Sequence, residues 1–587
     1  MLNRSVIDVG FGKTSADTVF KNGRLVNVFT AEVYDSDIAV SDGKIAAIGE
    51  VDATIGSDTE IVDAKGFHLV PGLIDAHVHT EVTKLSITNF AKTVLPHGTT
   101  SICTAFDQIA PVKGIDGIRY MLDEAESLPL RIFNPPPSKI PYTIPGGTLG
   151  ASVGPDDHRV ALKWPEANGI AETTMDFIVA GDEDVFESIG LCEDYKLPVH
   201  GHAPFVTGLR LGAYMNCGVR DDHECFSMEE TIDKLRNGLF CVLREATMAA
   251  NLTECIKATT EAGLPTRRIC LCSDDTDTST LLRLGHMDHI IRLAISLGVE
   301  PVAAIQMATI NAADALRIDD QVGAIGPGRH ADILFVPDLE DFRVSATYVG
   351  GELVATDSGT KYGPVAPPER PPELVNSFDL DPVTSDDLVF HTDLEDGRAK
   401  VISMFVPPEI PLRLRRDAEL EIRDGVIHPN PDDDVLYVSV IERYNNTGSR
   451  STAFMSGFAL KEGALASSLS PDDENIVCLG ADVQSMVTAV NRVIEMNGGQ
   501  VVTRGTEVLA DLALPIAGIM SDIEPEEMME AEDGLIAAAK ELNCQLPNPF
   551  MWLIFLPITA IPEYSLIDRG FVEQATLSFC SPVLGRL

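Results

Sequence analysis

The sequence predicts an α/β chain in three parts: a β-sandwich built from two separated flanks, a (β/α)8 TIM barrel inserted between them, and an appended C-terminal α+β domain. Three observations carry this prediction. Short strand-like runs with alternating apolar positions open the chain and recur from residue 331. Between the two sets, strand-like and helical runs alternate over roughly 250 residues, the usual length of an eight-stranded barrel. A proline-rich stretch then leads into a different mixture of strands and helices.

The first flank, residues 1–68, holds TVFKNGRLVNV, DIAVSDGKIAAIG and EIVDAKGFHLV, each with a glycine-bearing turn. Its counterpart, residues 327–370, follows the turn GPGRH with ADILFVPDLEDFRVSATYVGGELV, so the two flanks are expected to close one sandwich. Residues 69–326 supply the barrel, in runs such as LSITNFAKTVLPHG, TTSICTA and GIDGIRYMLDEAESLP. The segment YGPVAPPERPPELVNSF reads as a linker. Residues 371–587 add strands (LYVSVIERY) and helices (DVQSMVTAVNRVIEMNGG, MMEAEDGLIAAAKEL) without repeating the barrel pattern.

At 587 residues the chain is too long for one core, and its 45% hydrophobic and 23% charged content is ordinary for a globular enzyme. The 89 acidic residues outnumber the 44 basic ones and give a formal charge of −45. Such a surface repels polyanions, which argues against nucleic acid and anionic membranes as partners. Eleven scattered cysteines without CxxC pairing predict reduced thiols and a cytoplasmic setting. The first residues lack the basic start and apolar core of a signal peptide. FMWLIFLPITAIP, the most apolar late stretch, is too short and proline-broken to span a bilayer, so it is expected in the core or at an interface.

The chemistry is signalled by LVPGLIDAHVHTE, residues 69–81, where His77 and His79 stand at i and i+2 at the end of an apolar run. On a strand both imidazoles share a face and can reach one cation. Further strand ends bring Glu172 in ANGIAE, His200 and His202 in LPVHGHAP, His223 in GVRDDHE, and Asp274 in RICLCSDD. Each has a plainer alternative: Glu172 capping its segment, His202 hydrogen-bonded in the core, His223 on a polar loop, Asp274 or Asp275 capping the next helix. Their joint order at strand ends favours one hydrolytic site, with a carboxylate able to bridge a pair of borderline metals.

The motif series PGLIDAHVHTE, FAKTVLPHGTTS, GHAP, DDHE, LCSDD, GAIGPGRHADILFV, GFALKEGALASS, LPIAGIMSD and IPEYSLIDRG resembles the metal-dependent amidohydrolase superfamily, and within it the bacterial adenine deaminases, over nearly the whole chain. The resemblance implies an amidohydrolase-type barrel with two divalent metal ions, manganese or iron ahead of zinc. It implies that His77, His79 and Asp274 hold one ion, that Glu172 bridges, and that His202 helps hold the second. His223 would bind metal or the tetrahedral centre. The implied reaction is hydrolytic deamination of adenine, a small heterocyclic substrate. Asp274 would act as general base, and Glu224 would protonate a ring nitrogen or orient His223. A homodimer or larger homo-oligomer is expected.

Departures from the pattern lie around the expected pocket. The family's I-E-S becomes Thr80, Glu81, Val82; D-P-H-E becomes Ala105, Phe106, Asp107, Gln108; P-S-C-V-P becomes Pro137, Ser138, Lys139, Ile140, Pro141. The aspartate before GHAP becomes His200, D-D-R becomes Asp274, Asp275, Thr276, R-H becomes Arg443, Tyr444, and H-D-S-H-N becomes Pro471 to Asn475. Such changes can switch substrate while the hydrolytic centre survives. Hydrolysis of another cyclic amidine, lactam, imide or amide is therefore the alternative, and a catalytically silent binding protein the second.

Overall fold

The computed structural model describes residues 3–408, 410 and 412–587. Strands from both flanks, between Thr18 and Pro71 and between Ile333 and Thr360, join in one nine-stranded sheet. The junction is antiparallel and sets Val70 opposite Leu334 and Leu69 opposite Phe335. Phe20, Phe335 and Tyr348 pack edge-on and tilted in its core, at centroid separations of 5.0 to 6.0 Å.

Between the flanks lie eight parallel strands: β1 (Leu73–Asp75), β2 (Thr99–Cys103), β3 (Arg131–Phe133), β4 (Ile170–Thr174), β5 (Val199–His202), β6 (Val219–Asp222), β7 (Phe240–Arg244) and β8 (Ile269–Cys272). They fall into two sheets, β1 to β3 and β4 to β8, each in sequence order. Parallel bridges meet at both seams, Val78 with Asp274 and Pro137 with Ala171. Asp274 N donates to His77 O at 3.0 Å and Ser138 N to Ala171 O at 2.7 Å.

Most positions of these strands are buried, as parallel sheets covered on both faces require, and β8 (ICLC) is apolar throughout while β4 to β6 carry polar side chains toward their ends. Gly169, at φ +87°, opens β4, and a β-carbon there would stand 1.8 Å from Pro198 O. Only glycine lets β4 and β5 approach this closely. The helix Thr278–Leu284 is capped by Asp277, which accepts from Thr280 N at 2.9 Å, so neither Asp274 nor Asp275 serves that role.

The C-terminal region builds an eleven-stranded sheet from strands between Phe390 and Ala513 plus Val583–Arg586, with the helices Val483–Glu495 and Pro525–Glu541 against it. FMWLIFLPITAIP begins the buried helix Pro549–Ile554. Among the described residues no helix is long and apolar enough to cross a membrane. One apolar cluster runs from Leu85 and Phe90 beside the parallel strands to Leu514, Met520 and Trp552 of the C-terminal region. Each such buried side chain contributes about 1.5–3 kcal/mol, so the two regions share a core. All eleven cysteines are free thiols, nine of them buried.

Candidate metal centre

The C-terminal ends of β1, β4, β5, β6 and β8 bring His77, His79, Glu172, His202, His223 and Asp274 into one cluster. His77 Nε2 lies 3.1 Å from His79 Nε2 and 3.4 Å from Asp274 Oδ1, while His79 Nε2 lies 3.3 Å from that same oxygen. Glu172 sits between the halves: Oε1 is 3.0 Å from His77 Nε2 and 3.5 Å from His223 Nε2, and Oε2 is 2.6 Å from His202 Nδ1. Three overlapping donor groups result, His77 with His79 and Asp274, His77 with Glu172 and His223, and His202 with His223 and Glu224.

The protein holds this geometry at a cost. Glu172 and Asp274 both have left-handed backbones, φ 54° and 50°, which is strained for non-glycine residues. Glu172 Oε1 and Asp274 Oδ1 are buried without hydrogen-bond partners. Buried orphan acceptors are rare and destabilising, and the His77 and His79 Nε2 atoms stand 3.1 Å apart, close enough to share a proton or to turn together onto one cation. This imidazole and carboxylate set, with no thiolate, fits divalent N/O-liganded metal ions.

Electrostatics points the same way. Burial works against the ionised form of Glu172, but the His223 and His202 imidazoles hold its carboxyl well below the usual range. Burial likewise opposes ionisation of Asp274, and the Arg244 guanidinium together with His77 and His79 outweighs it, holding the carboxyl well below the usual range. Against its own burial, His77 is pushed up to about 10 by Asp274 and Glu172. The pocket therefore recruits positive charge, which a cation satisfies directly.

Several neighbours outside the expected ligand set complete the site. His79 Nδ1–H donates to Asp107 Oδ1 at 2.8 Å, leaving Nε2 for a metal, and Gln108 Nε2 braces Asp107 at 3.2 Å. Asp75 ties β1 to β8 by accepting from Ser273 N at 3.1 Å and facing His286 Nε2 at 3.0 Å. Arg244, at the end of β7, grips both oxygens of Glu224 and donates to Asp274 Oδ2 at 2.9 Å. A charged residue ending an apolar run was the available sign for Arg244.

The two histidines of HGH part ways. His202 faces Glu172, whereas His200 pairs with Asp221 at 2.7 Å and reaches Asn168 O at 3.0 Å, a structural role. Glu224 borders the cluster, its Oε1 3.6 Å from His223 Nε2.

Parallel strands with a histidine and carboxylate cluster at their C-terminal ends define a metal-dependent amidohydrolase, and the model of the amidohydrolase family matches residues 68–354. That of the adenine deaminase C-terminal domain matches residues 412–577. Adenine deaminase 4 of Rhizobium meliloti is 46% identical over 97% of this chain and 96% of its own length. Adenine deaminase 1 of Desulfotalea psychrophila is 42% identical over 99% and 98%, and adenine deaminase 1 of Latilactobacillus sakei 40% identical over the same shares. The chain belongs to the adenine deaminase family.

Proposed function

We propose that this protein hydrolyses adenine to hypoxanthine and ammonia at the Glu172-centred cluster, with His77, His79, Glu172, His202, His223 and Asp274 holding two divalent ions. The observation that carries the reading is Glu172, whose oxygens face donors of both halves while Oε1 lacks a hydrogen-bond partner. We further infer that the two parallel sheets form one interrupted (β/α)8 ring, supported by the bridges at both seams. Manganese or iron ahead of zinc is the choice the family resemblance implies, and the imidazole and carboxylate donors accept any of the three. Free buried thiols suit a cytoplasmic enzyme.

When bound, the cations supply Lewis acidity that brings the acidity of water toward neutrality. The chain's own groups manage the protons. Glu224, held on both oxygens by Arg244, takes a proton from the attacking water and delivers it to ring N1. Water oxygen bonds to C6 as that protonation draws electrons into the ring. Asp274 then takes the remaining hydroxyl proton on Oδ1 and passes it to the amino nitrogen. The C6–N bond breaks, ammonia leaves with its electron pair compensated by that proton, and the C6 carbonyl forms.

Protein loaded with manganese or ferrous iron should release ammonia from adenine in step with loss of purine absorbance. Replacing Glu172 or Asp274 with alanine should abolish turnover while preserving the fold. A fully loaded sample inert toward adenine refutes the substrate, and an alanine variant with wild-type kcat refutes that residue's role.

A further inference from the structure

Tyr142 stands on the segment between β3 and β4, immediately after the motif Pro137–Pro141 that departs from the family pattern. Ser138 N fastens the start of this segment to β4, and Ile140 N donates to Val153 O at 3.0 Å across its base. Its tip is fastened to the C-terminal region. Gly147 N donates to Asp473 Oδ1 at 3.2 Å, Thr148 N and Oγ1 donate to Asp568 at 2.9 and 2.6 Å, and Asn475 Nδ2 donates to Thr148 O at 3.0 Å.

The Tyr142 side chain is 5% exposed, yet its hydroxyl bonds to nothing. Native proteins seldom leave a buried hydroxyl unpaired unless a ligand completes it. Asp107, Glu172, Asp472 and Glu81 are the carboxylates whose charge bears on it, and the segment that carries it leaves from the metal-ligand cluster, where Ser138 Oγ donates to Glu172 O at 3.2 Å. Burial and these carboxylates keep its proton in place, which makes it a donor. Asp472, half-buried and next to the docked Asp473, faces Asp107, His202, Glu172 and His79. Through Asp473, which accepts from Gly147 N, the C-terminal region brings the neighbouring Asp472 carboxyl group to the segment that carries the phenol.

We propose that Tyr142 and Asp472 form the recognition edge of the substrate pocket, the phenol donating to an unprotonated ring nitrogen and the carboxyl group accepting from the imidazole-ring N–H of an unsubstituted purine. The inference rests on the deaminase reading and deepens it. A free purine base presents both groups, whereas substitution at N9 removes every imidazole N–H and leaves Asp472 facing a methyl group or sugar. The C-terminal region thereby selects base over nucleoside.

The test uses the metal-loaded full chain with adenine and 9-methyladenine. Tyr142→Phe keeps the ring and should raise KM for adenine roughly five- to tenfold, with metal content and melting temperature unchanged. Asp472→Ala should lower the ratio of kcat/KM for adenine over 9-methyladenine at least about tenfold. Asp472→Leu, which keeps the bulk and removes the acceptor, reads the same ratio should the alanine variant fail to fold. An unchanged KM in Tyr142→Phe, or an unchanged ratio in the Asp472 variants, overturns the edge. If the wild type binds adenine by calorimetry without deaminating it, the activity reading alone fails, and a weaker Kd in Tyr142→Phe still supports the edge. Absence of binding, or an unchanged Kd in that variant, refutes the edge.

Discussion

Asp107 shows what a single residue contributes to this site. It accepts the Nδ1 proton of His79 and so fixes the tautomer that turns Nε2 toward Glu172 and Asp274. Asp107→Ala should lower metal affinity roughly 10–100-fold, the usual effect of losing a partner that orients a metal-binding histidine. Titration with manganese and measurement of bound metal checks this, and unaltered affinity would remove Asp107 from the centre. Arg244 acts on the proton path instead. Arg244→Gln should lower kcat on the order of 100-fold, the scale of lost acid and base catalysis, with a smaller change in KM and partial rescue in Arg244→Lys. Equal damage in the glutamine and lysine variants would point to a purely structural guanidinium. The convergence of His77, His79, Glu172, His202, His223 and Asp274 was legible in the sequence because each lies in or just beyond a short strand of an alternating strand and helix series, which converts order along the chain into convergence in space. Asp107 and Arg244 were not, because their partners lie 28, 20 and 30 positions away and an isolated charge carries no record of its counterion.

At the scale of elements, the helix Met228–Asn237 braces the ends of β5 and β6. Ser227 caps it by accepting from Glu230 N at 3.2 Å, and Gly238 ends it with a left-handed backbone. Its charged sequence, MEETIDKLRN, suits a solvated surface helix, but Lys234 is fully buried. The ammonium donates to Asp222 Oδ2 and Glu230 Oε1 at 2.6 Å each and to Ala203 O at 2.8 Å. Asp222 precedes His223 and Ala203 follows His202, so this one cation fixes the strand ends that carry two proposed ligands. Lys234→Met removes the charge and strands two buried carboxylates, a loss of about 3–5 kcal/mol. Urea unfolding measures it, and bound metal should fall in the surviving folded fraction. A midpoint within experimental error of wild type would show that water replaces the ammonium. The alternation of strands and helices along the chain reveals that such a helix exists, while its inward lysine depends on packing that periodicity does not encode.

At the scale of the whole molecule, the C-terminal region acts on the centre through a buried ion pair. Lys84, in the turn after the His77 and His79 strand end, meets Glu532 of the helix Pro525–Glu541 at 2.9 Å, with both side chains about 95% buried. Glu532 also accepts from Ser279 N at 2.7 Å, and Asn548 reaches Asp277 at 2.7 Å, so the contact spans the loops that follow β1 and β8. Those loops adjoin His79 and Asp274. Separate motifs in the two halves of the sequence gave no sign of this contact, because 448 positions separate Lys84 from Glu532. Glu532→Ala leaves the Lys84 ammonium buried without its counterion, a cost of about 3–5 kcal/mol. The melting temperature should fall, and kcat should fall with it, because the loop carrying Lys84 is continuous with the strand end that supplies His77 and His79. Glu532→Gln keeps the volume and the acceptor for Ser279, so it should separate packing from charge by retaining more stability than the alanine variant. Calorimetry and turnover on the same preparations decide the matter: a Glu532→Ala protein with wild-type melting temperature and kcat would mean that the C-terminal region rests on the catalytic loops without bracing them.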